Sequence, residues 1–232
     1  MESGVINLIK PPGITSFQAV KAVRSILGEK RVGHCGTLDP MASGVLLVVF
    51  GAATRLSGSL MSGEKTYRGE IIFGVRTDSG DLTGKVLEEV PVPPLDPARL
   101  KAVFQTFVGE ISQVPPMVSA LKYGGRRLYQ LAREGVTVPR AARRVTIRSF
   151  ELLGIDGPRA GFRVACSKGT YVRALAEDAG RALGLPAALA SLVRERSGTF
   201  EIGAGLPWEA LVGMDRQALL RHAAVRPEPP PR

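Results

Sequence analysis

Apolar residues recur along the chain with two periods, and the changes between them mark out alternating strands and helices. Gly4 to Ile9 reads as a strand, followed by the turn Lys10-Pro11-Pro12-Gly13. Thr15 or Ser16 then caps a helix whose apolar face is Phe17, Val20, Val23, Ile26 and Leu27. The unbroken run Val45 to Phe50 predicts a buried strand, and a short helix follows Ala53. Tyr67 to Phe73 and Val86 to Val90 predict strands on either side of the turn TDSGDLTG, residues 77 to 84. Asp96 and Pro97 supply an N-cap and a first-turn proline for a helix carrying Leu100, Val103, Phe104 and Phe107 before Gly109.

The second half continues with a short helix from Arg127 to Glu134 ended by Gly135, then strands from Val145 to Ile155 and from Phe162 to Cys166. Thr170 is the expected cap of a helix burying Val172, Leu175, Ala176, Ala179 and Leu183 and closed by Gly184, which puts Tyr171 and Arg173 in its first turn. Leu192 to Arg196 is a further strand candidate, Asp215 caps a last short helix, and RPEPPPR reads as a disordered tail. Strands and helices are interspersed without a regular βαβ period, so the expected class is α+β with a mixed or antiparallel sheet.

Composition narrows the function classes. The 232 residues are 44% hydrophobic, enough for a packed core, and no apolar run is long enough to span a membrane. The start, MESGVINLIKPPG, lacks the layout of a signal peptide, and two cysteines with two histidines provide neither a disulfide framework nor a dense metal site. A reducing cytoplasm is the expected setting. Lys and Arg outnumber Asp and Glu by 31 to 21, and the excess is concentrated. Between Lys122 and Arg148 stand Lys122, Arg126, Arg127, Arg133, Arg140, Arg143, Arg144 and Arg148 against the single acid Glu134. Either a polyanion such as nucleic acid binds there, or the stretch is a solvated basic face; charge alone does not choose.

No phosphate-binding loop, dinucleotide fingerprint, nucleophile elbow or zinc spacing is present. TDSGD offers Asp78 and Asp81 in a calcium-like order but lacks the closing glutamate. In GHCGTLDPMASG, residues 33 to 44, three glycines surround one carboxylate, Asp39. Read alone, this is a tight surface turn or a mount presenting Asp39 at a cleft, on a loop entering the buried strand. His34 is a candidate general base or RNA contact; nothing near Cys35 completes a Cys-His nucleophile.

Several further motifs appear in order with it: NLIKPPGITS, ATR at 53 to 55, KTYRGEIIFGVRTDSGDLTG, PPMVSALKYGGRRLYQLAREG and CSKGTYVRALAEDAG. From about Val5 to about Leu211 the sequence resembles the TruB family of tRNA pseudouridine synthases, which isomerise the T-loop uridine at position 55 in tRNA numbering.

The resemblance implies the pseudouridine synthase fold, an α+β domain on a mixed, largely antiparallel sheet, and an enzyme without cofactor or metal that acts on tRNA as a monomer without a guide RNA. It makes Asp39 the catalytic nucleophile, Tyr67 the tyrosine stacked on the target base, and Tyr171 a second wall of the uridine pocket. Arg173 becomes the partner of the acid, His34 a contact where the nucleotide leaves its stack, and Leu192 a pocket residue. At Leu192 the family often continues with two arginines, where this chain has Val193-Arg194. The catalytic domain is expected over residues 1–212, with 213–232 a short helix and proline-rich tail and no full PUA-type RNA-binding domain.

The chemistry matches such a role. Pseudouridine formation breaks the C1′–N1 bond, turns the uracil and joins C5 to C1′, and a single ionised carboxylate suffices whether it attacks C1′, adds to C6 or removes the 2′ proton. An arginine within hydrogen-bonding reach orients such an acid, and tyrosines give flat surfaces to a base taken out of its stack. By itself Tyr67 reads as strand packing and Leu192 as core, whereas Arg173 at a helix N-terminus opposes the helix dipole and so asks for a carboxylate partner.

Overall fold

The computed structural model describes residues 2–223, and the proline-rich stretch 226–232 lies outside them. In chain order they form β1 (Gly4–Lys10), α1 (Ser16–Leu27), β2 (Val32–His34), β3 (Ser43–Phe50), α2 (Ser57–Ser62), β4 (Lys65–Phe73), β5 (Val75–Thr77) and β6 (Val86–Glu89). They continue with α3 (Pro97–Thr106), β7 (Gly109–Gln113), β8 (Lys122–Tyr123), β9 (Arg126–Arg127), α4 (Leu128–Arg133), β10 (Arg143–Asp156) and β11 (Arg159–Cys166). The last elements are α5 (Val172–Leu183), β12 (Ala187–Ser197), β13 (Phe200–Glu201), β14 (Leu206–Pro207), α6 (Trp208–Leu211) and α7 (Arg216–Arg221). The described residues fold as two compact units, one comprising residues 2–66 and 193–223, the other Tyr67–Leu192.

In the first unit the strand order is β14-β1-β3-β12, with β2 on β3 and β13 on β12. The β1–β14 and β3–β12 pairs are parallel; β1–β3, β2–β3 and β12–β13 are antiparallel. β3 is buried along nearly its whole length, which is why its sequence is unbroken apolar rather than alternating. Val5, Val45, Leu47 and Val49 form one layer with Cys35 and Ala53. Helix α1 packs on β2 and β3. It begins with a capping box between Thr15 and Gln18 and ends at Gly28 in the left-handed conformation (φ 61°). Its buried stripe is Ser16, Ala19, Val20, Val23 and Leu27, while Phe17 is 65% exposed. Val20, Val23 and Leu27 of the expected face are buried as expected, but at the first turn Ser16 takes the inward place of Phe17 because its hydroxyl both donates to Leu38 O and accepts from Leu38 N, at 2.9 Å each.

In the second unit the order is β12-β4-β11-β10-β7, with β10 antiparallel to both neighbours. Phe104 of α3 stacks on Phe150 of β10 at 3.9 Å between centroids, and Phe107 and Phe162 meet the same ring edge-on. The pairs β5–β6 and β8–β9 form separate two-stranded ribbons. Strand β12 starts at Ala187, ahead of the expected Leu192, because Ala187 to Ser191 is too rich in small residues to show strand alternation. Helix α5 is also capped differently: Tyr171 occupies the N-cap, and Thr170 donates its hydroxyl to Ser167 O instead.

The result is the α+β class with a mixed, largely antiparallel sheet. Among the described residues no helix is long and apolar enough to cross a membrane.

Candidate functional site

Asp39 is half-buried on the loop that joins β2 to β3, and that loop is fixed through its backbone. Ala42 N donates to Asp39 O and Gly13 N to Pro40 O, while Leu38 is bracketed by the Ser16 hydroxyl. Two buried cations hold carbonyls at the loop's ends and centre. Lys10, at the end of β1, donates from Nζ to Pro11 O, Ile14 O and Pro40 O at 2.7, 2.8 and 3.3 Å. Arg194 of β12 donates to Val45 O, Gly36 O and Thr37 O.

The Lys10 ammonium is pushed down to a pKa of about 8, chiefly by burial and further by Arg194, with the Asp39 carboxylate working in the opposite sense. His34 lies on β2, half-buried, and its Nδ1 has no hydrogen-bond partner. Burial first and Arg194 second push its pKa below the usual value, so the ring is neutral near pH 7. Burial raises the Cys35 thiol to about 11, which fits its expected inertness. Of the loop's three glycines, Gly36 and Gly44 use positive φ (104° and 101°), while Gly33 does not.

The other residues singled out from sequence lie in the second unit. Tyr67 is buried on the inward-facing side of β4, and Leu192 is buried on β12. Tyr171 is held by a two-way bond with buried Gln113: its N–H donates to Gln113 Oε1 at 3.0 Å, and Gln113 Nε2 donates to its carbonyl at 3.3 Å. Arg173, 4% exposed, donates to Ser79 O at 2.7 Å and to Val118 O at 2.8 Å, and its Nε lies 3.7 Å from the Asp81 carboxylate. Asp81 in turn accepts from the Ser79 hydroxyl, Thr83 N–H and Thr83 hydroxyl. The turn considered for calcium thus spends Asp81 on an arginine and on its own backbone, and Asp78 accepts from Lys85 N–H. Among the described residues no group of three or more metal-ligating side chains occurs.

Lys10 and Arg194 did not stand out in the sequence as groups that fix the loop, and Asp81 stood out only as a candidate calcium ligand, not as the partner of Arg173. A lysine before Pro-Pro-Gly and an arginine directly after the apolar Leu192-Val193 are the signals those two leave.

The basic stretch is exposed at every one of its eight cationic residues except Arg140, which is half-buried. Part of its charge is used locally, in pairs of Arg126 with Glu134 and Arg144 with Glu110 and in Arg133 set over the Tyr129 ring.

Residues 24–172 match the TruB family pseudouridylate synthase N-terminal domain. The chain belongs to the TruB family. A protein of Moorella thermoacetica named tRNA pseudouridine synthase B is 50% identical over 217 residues, covering 92% of this chain and 71% of the relative. One of the same name from Bordetella pertussis is 46% identical over 221 residues, covering 94% and 91%. Among solved structures, a Cbf5-Nop10-Gar1 complex matches with TM-score 0.70 and 33% identity, covering 89% of this chain. The chain spans about half (52%) of that structure's matched chain. An archaeal box H/ACA sRNP Nop10-Cbf5 complex matches with TM-score 0.67 and 31% identity, covering 97% of this chain and 59% of the other. TruB membership makes this chain a pseudouridine synthase, an isomerase, and its fold is that of the pseudouridine synthases.

Proposed function

We propose that this TruB-family chain converts uridine to pseudouridine in the T loop of tRNA, with Asp39 as the nucleophile acting on a flipped-out nucleotide. The observation that carries this reading is a carboxylate on a loop whose backbone is fixed by Lys10, Arg194 and Ser16. A loop held this way keeps its shape whatever bond the carboxylate makes, which suits a group that must attack and then release. The tRNA substrate is supported by relatives 46–50% identical that carry that substrate in their names.

In this reading Tyr67 stacks on the uracil, and Tyr171 and Leu192 close the pocket around it. Arg173 is the cationic partner of the acid, and neutral His34 contacts the RNA where the nucleotide has left its stack. The exposed cations from Lys122 to Arg148 hold phosphates of the T arm. The reaction needs neither cofactor nor metal nor guide RNA, and a cytoplasmic monomer carries it out.

The test is release of tritium from tRNA labelled at uridine C5. Wild-type protein releases it, and Asp39→Asn binds the tRNA but releases none. Undiminished release by the variant would sink the assigned nucleophile. An isolated T-arm stem-loop offered with no other macromolecule tests independence from a guide, and modification of that substrate is the expected result.

A further inference from the structure

We infer that Arg194 is a positioning residue for Asp39, setting both ends of its loop through one guanidinium; the inference rests on Asp39 being the nucleophile. Arg194 is 1% exposed, and among the described residues no fully buried side chain is larger. Its Nε donates to Val45 O at 2.7 Å, its Nη2 to Gly36 O at 3.1 Å and its Nη1 to Thr37 O at 3.3 Å. These carbonyls stand on either side of residues 38 to 44, so a planar fork with fixed donor directions sets the separation of the loop's two ends. The backbone is shaped to admit it. Arg194 pairs with Gly44 in the parallel β12–β3 register, and a Cβ on Gly44 would stand 2.3 Å from Arg194 O.

Volume alone does not explain an arginine here. A buried guanidinium loses its hydration, and an apolar side chain of similar size often gives equal or better stability at such a position. What an apolar side chain cannot do is hold three carbonyls in fixed directions. The guanidinium is also close enough to lower the proton affinity of both Lys10 and His34, so its charge is felt across the same loop. Misplacing a reacting group by about 1 Å can cost on the order of 10²-fold in rate. A loop that carries one carboxylate therefore gains from having its ends tied at a single rigid point.

The experiment compares wild type with Arg194→Lys, which keeps the charge but not the fork, and Arg194→Gln, which keeps a planar donor but not the charge. Tritium release from the T-arm stem-loop gives kcat and KM, and filter binding gives the stem-loop Kd. Val49→Ala, in the apolar layer of β3, serves as a control for general loss of stability. The expected result is a kcat lowered by about 10²-fold in a variant that still melts cooperatively, with Kd within about twofold of wild type. Val49→Ala is expected to keep wild-type kcat at a comparable loss of melting temperature.

Wild-type kcat in either folded Arg194 variant overturns the inference. So does an equal kcat loss in Val49→Ala, or failure of both Arg194 variants to fold, which would assign the guanidinium to stability alone. If Asp39→Asn retains activity, the nucleophile reading itself falls; if Asp39→Asn is inactive while Arg194→Lys is normal, only the positioning role falls.

Discussion

Two glycine-containing turns in this chain each present an aspartate, and they use it in opposite ways. In the turn at 77 to 84, Asp81 is buried and its carboxylate is the centre of the structure, accepting from Ser79 and from Thr83 twice and facing Arg173. In the loop at 35 to 42, the fixing is done by other groups. Ser16, Lys10 and Arg194 take the loop's backbone N–H and carbonyl groups, and Asp39 is only half-buried. A carboxylate that organises its own turn is committed by that job. One whose loop is organised from elsewhere can change its bonding without unmaking the loop.

Alanine at each aspartate breaks this contrast most directly. Asp39→Ala should lower turnover by about 10⁴-fold or more, as loss of a nucleophile does. Its melting temperature should fall by less than that of Asp81→Ala, because the backbone of its loop is held by Ser16, Lys10 and Arg194 and not by the carboxylate. Asp81→Ala should do the reverse to stability. It leaves Arg173 without the buried Asp81 carboxylate and Thr83 N–H without its acceptor, a loss of about 3–5 kcal/mol that lowers the melting temperature by on the order of 10 °C. Calorimetry on both variants decides. A large melting loss for Asp39→Ala would show that its carboxylate, too, is structural.

Gly44 gives the next effect. Its φ of 101° is strained for any other residue, and an added Cβ would meet Arg194 O at 2.3 Å. Gly44→Ala should cost about 2–4 kcal/mol in denaturant unfolding, whereas Gly33→Ala, without positive φ and with open space at the Cβ, should cost less than about 1 kcal/mol.

Lys10 sharpens the electrostatic side. Its folded pKa of about 8 lies below the ordinary lysine value of 10.5, so between those limits the unfolded chain binds more protons and stability rises with pH. The contribution is complete above the unfolded value and is lost as pH falls through about 8. Measured against Lys10→Met, wild type should gain on the order of 1 kcal/mol in relative stability between about pH 7.5 and 9.5. A difference that does not change with pH would mean that burial does not depress this lysine.

How much of this was legible in the sequence depended on whether a residue's job was local. The strand at 45 to 50, the helix with Asp96 and Pro97, and the closing Gly184 follow from apolar spacing and caps, which act within a few residues. Tyr67, Tyr171, Arg173 and Asp39 are singled out by motifs, and Tyr67 on β4, Arg173 in the first turn of α5 and Asp39 on the loop before β3 lie on the elements that the periodicity predicts. Lys10 and Arg194 were silent because they hold carbonyls 30 and 158 residues away (Pro40 and Gly36), and Asp81 read as a calcium ligand because its Arg173 partner lies 92 residues away; a buried charge leaves no periodic mark. Phe17 misled for a related reason: an aromatic residue in an amphipathic pattern reads as core, yet the inward place went to a serine whose acceptor and donor lie at Leu38.

The two helix N-termini carry the contrast to its smallest effect. At α1, Thr15 and Gln18 form a reciprocal capping box, and the same turn reaches the Asp39 loop through Ser16. At α5, the N-cap Tyr171 makes no side-chain cap bond; Gln113 serves its N–H and carbonyl, and Thr170 is turned back to Ser167. Thr15→Ala should therefore cost about 1 kcal/mol, the usual loss of a threonine cap, and Thr170→Ala only about half as much, since it removes one half-exposed hydroxyl contact and leaves no helix N–H newly orphaned. Chemical denaturation of the two single variants resolves the difference. Equal losses would mean that Thr170 does cap α5 in solution, and that the first turn carrying Arg173 is held by its own sequence rather than by Gln113.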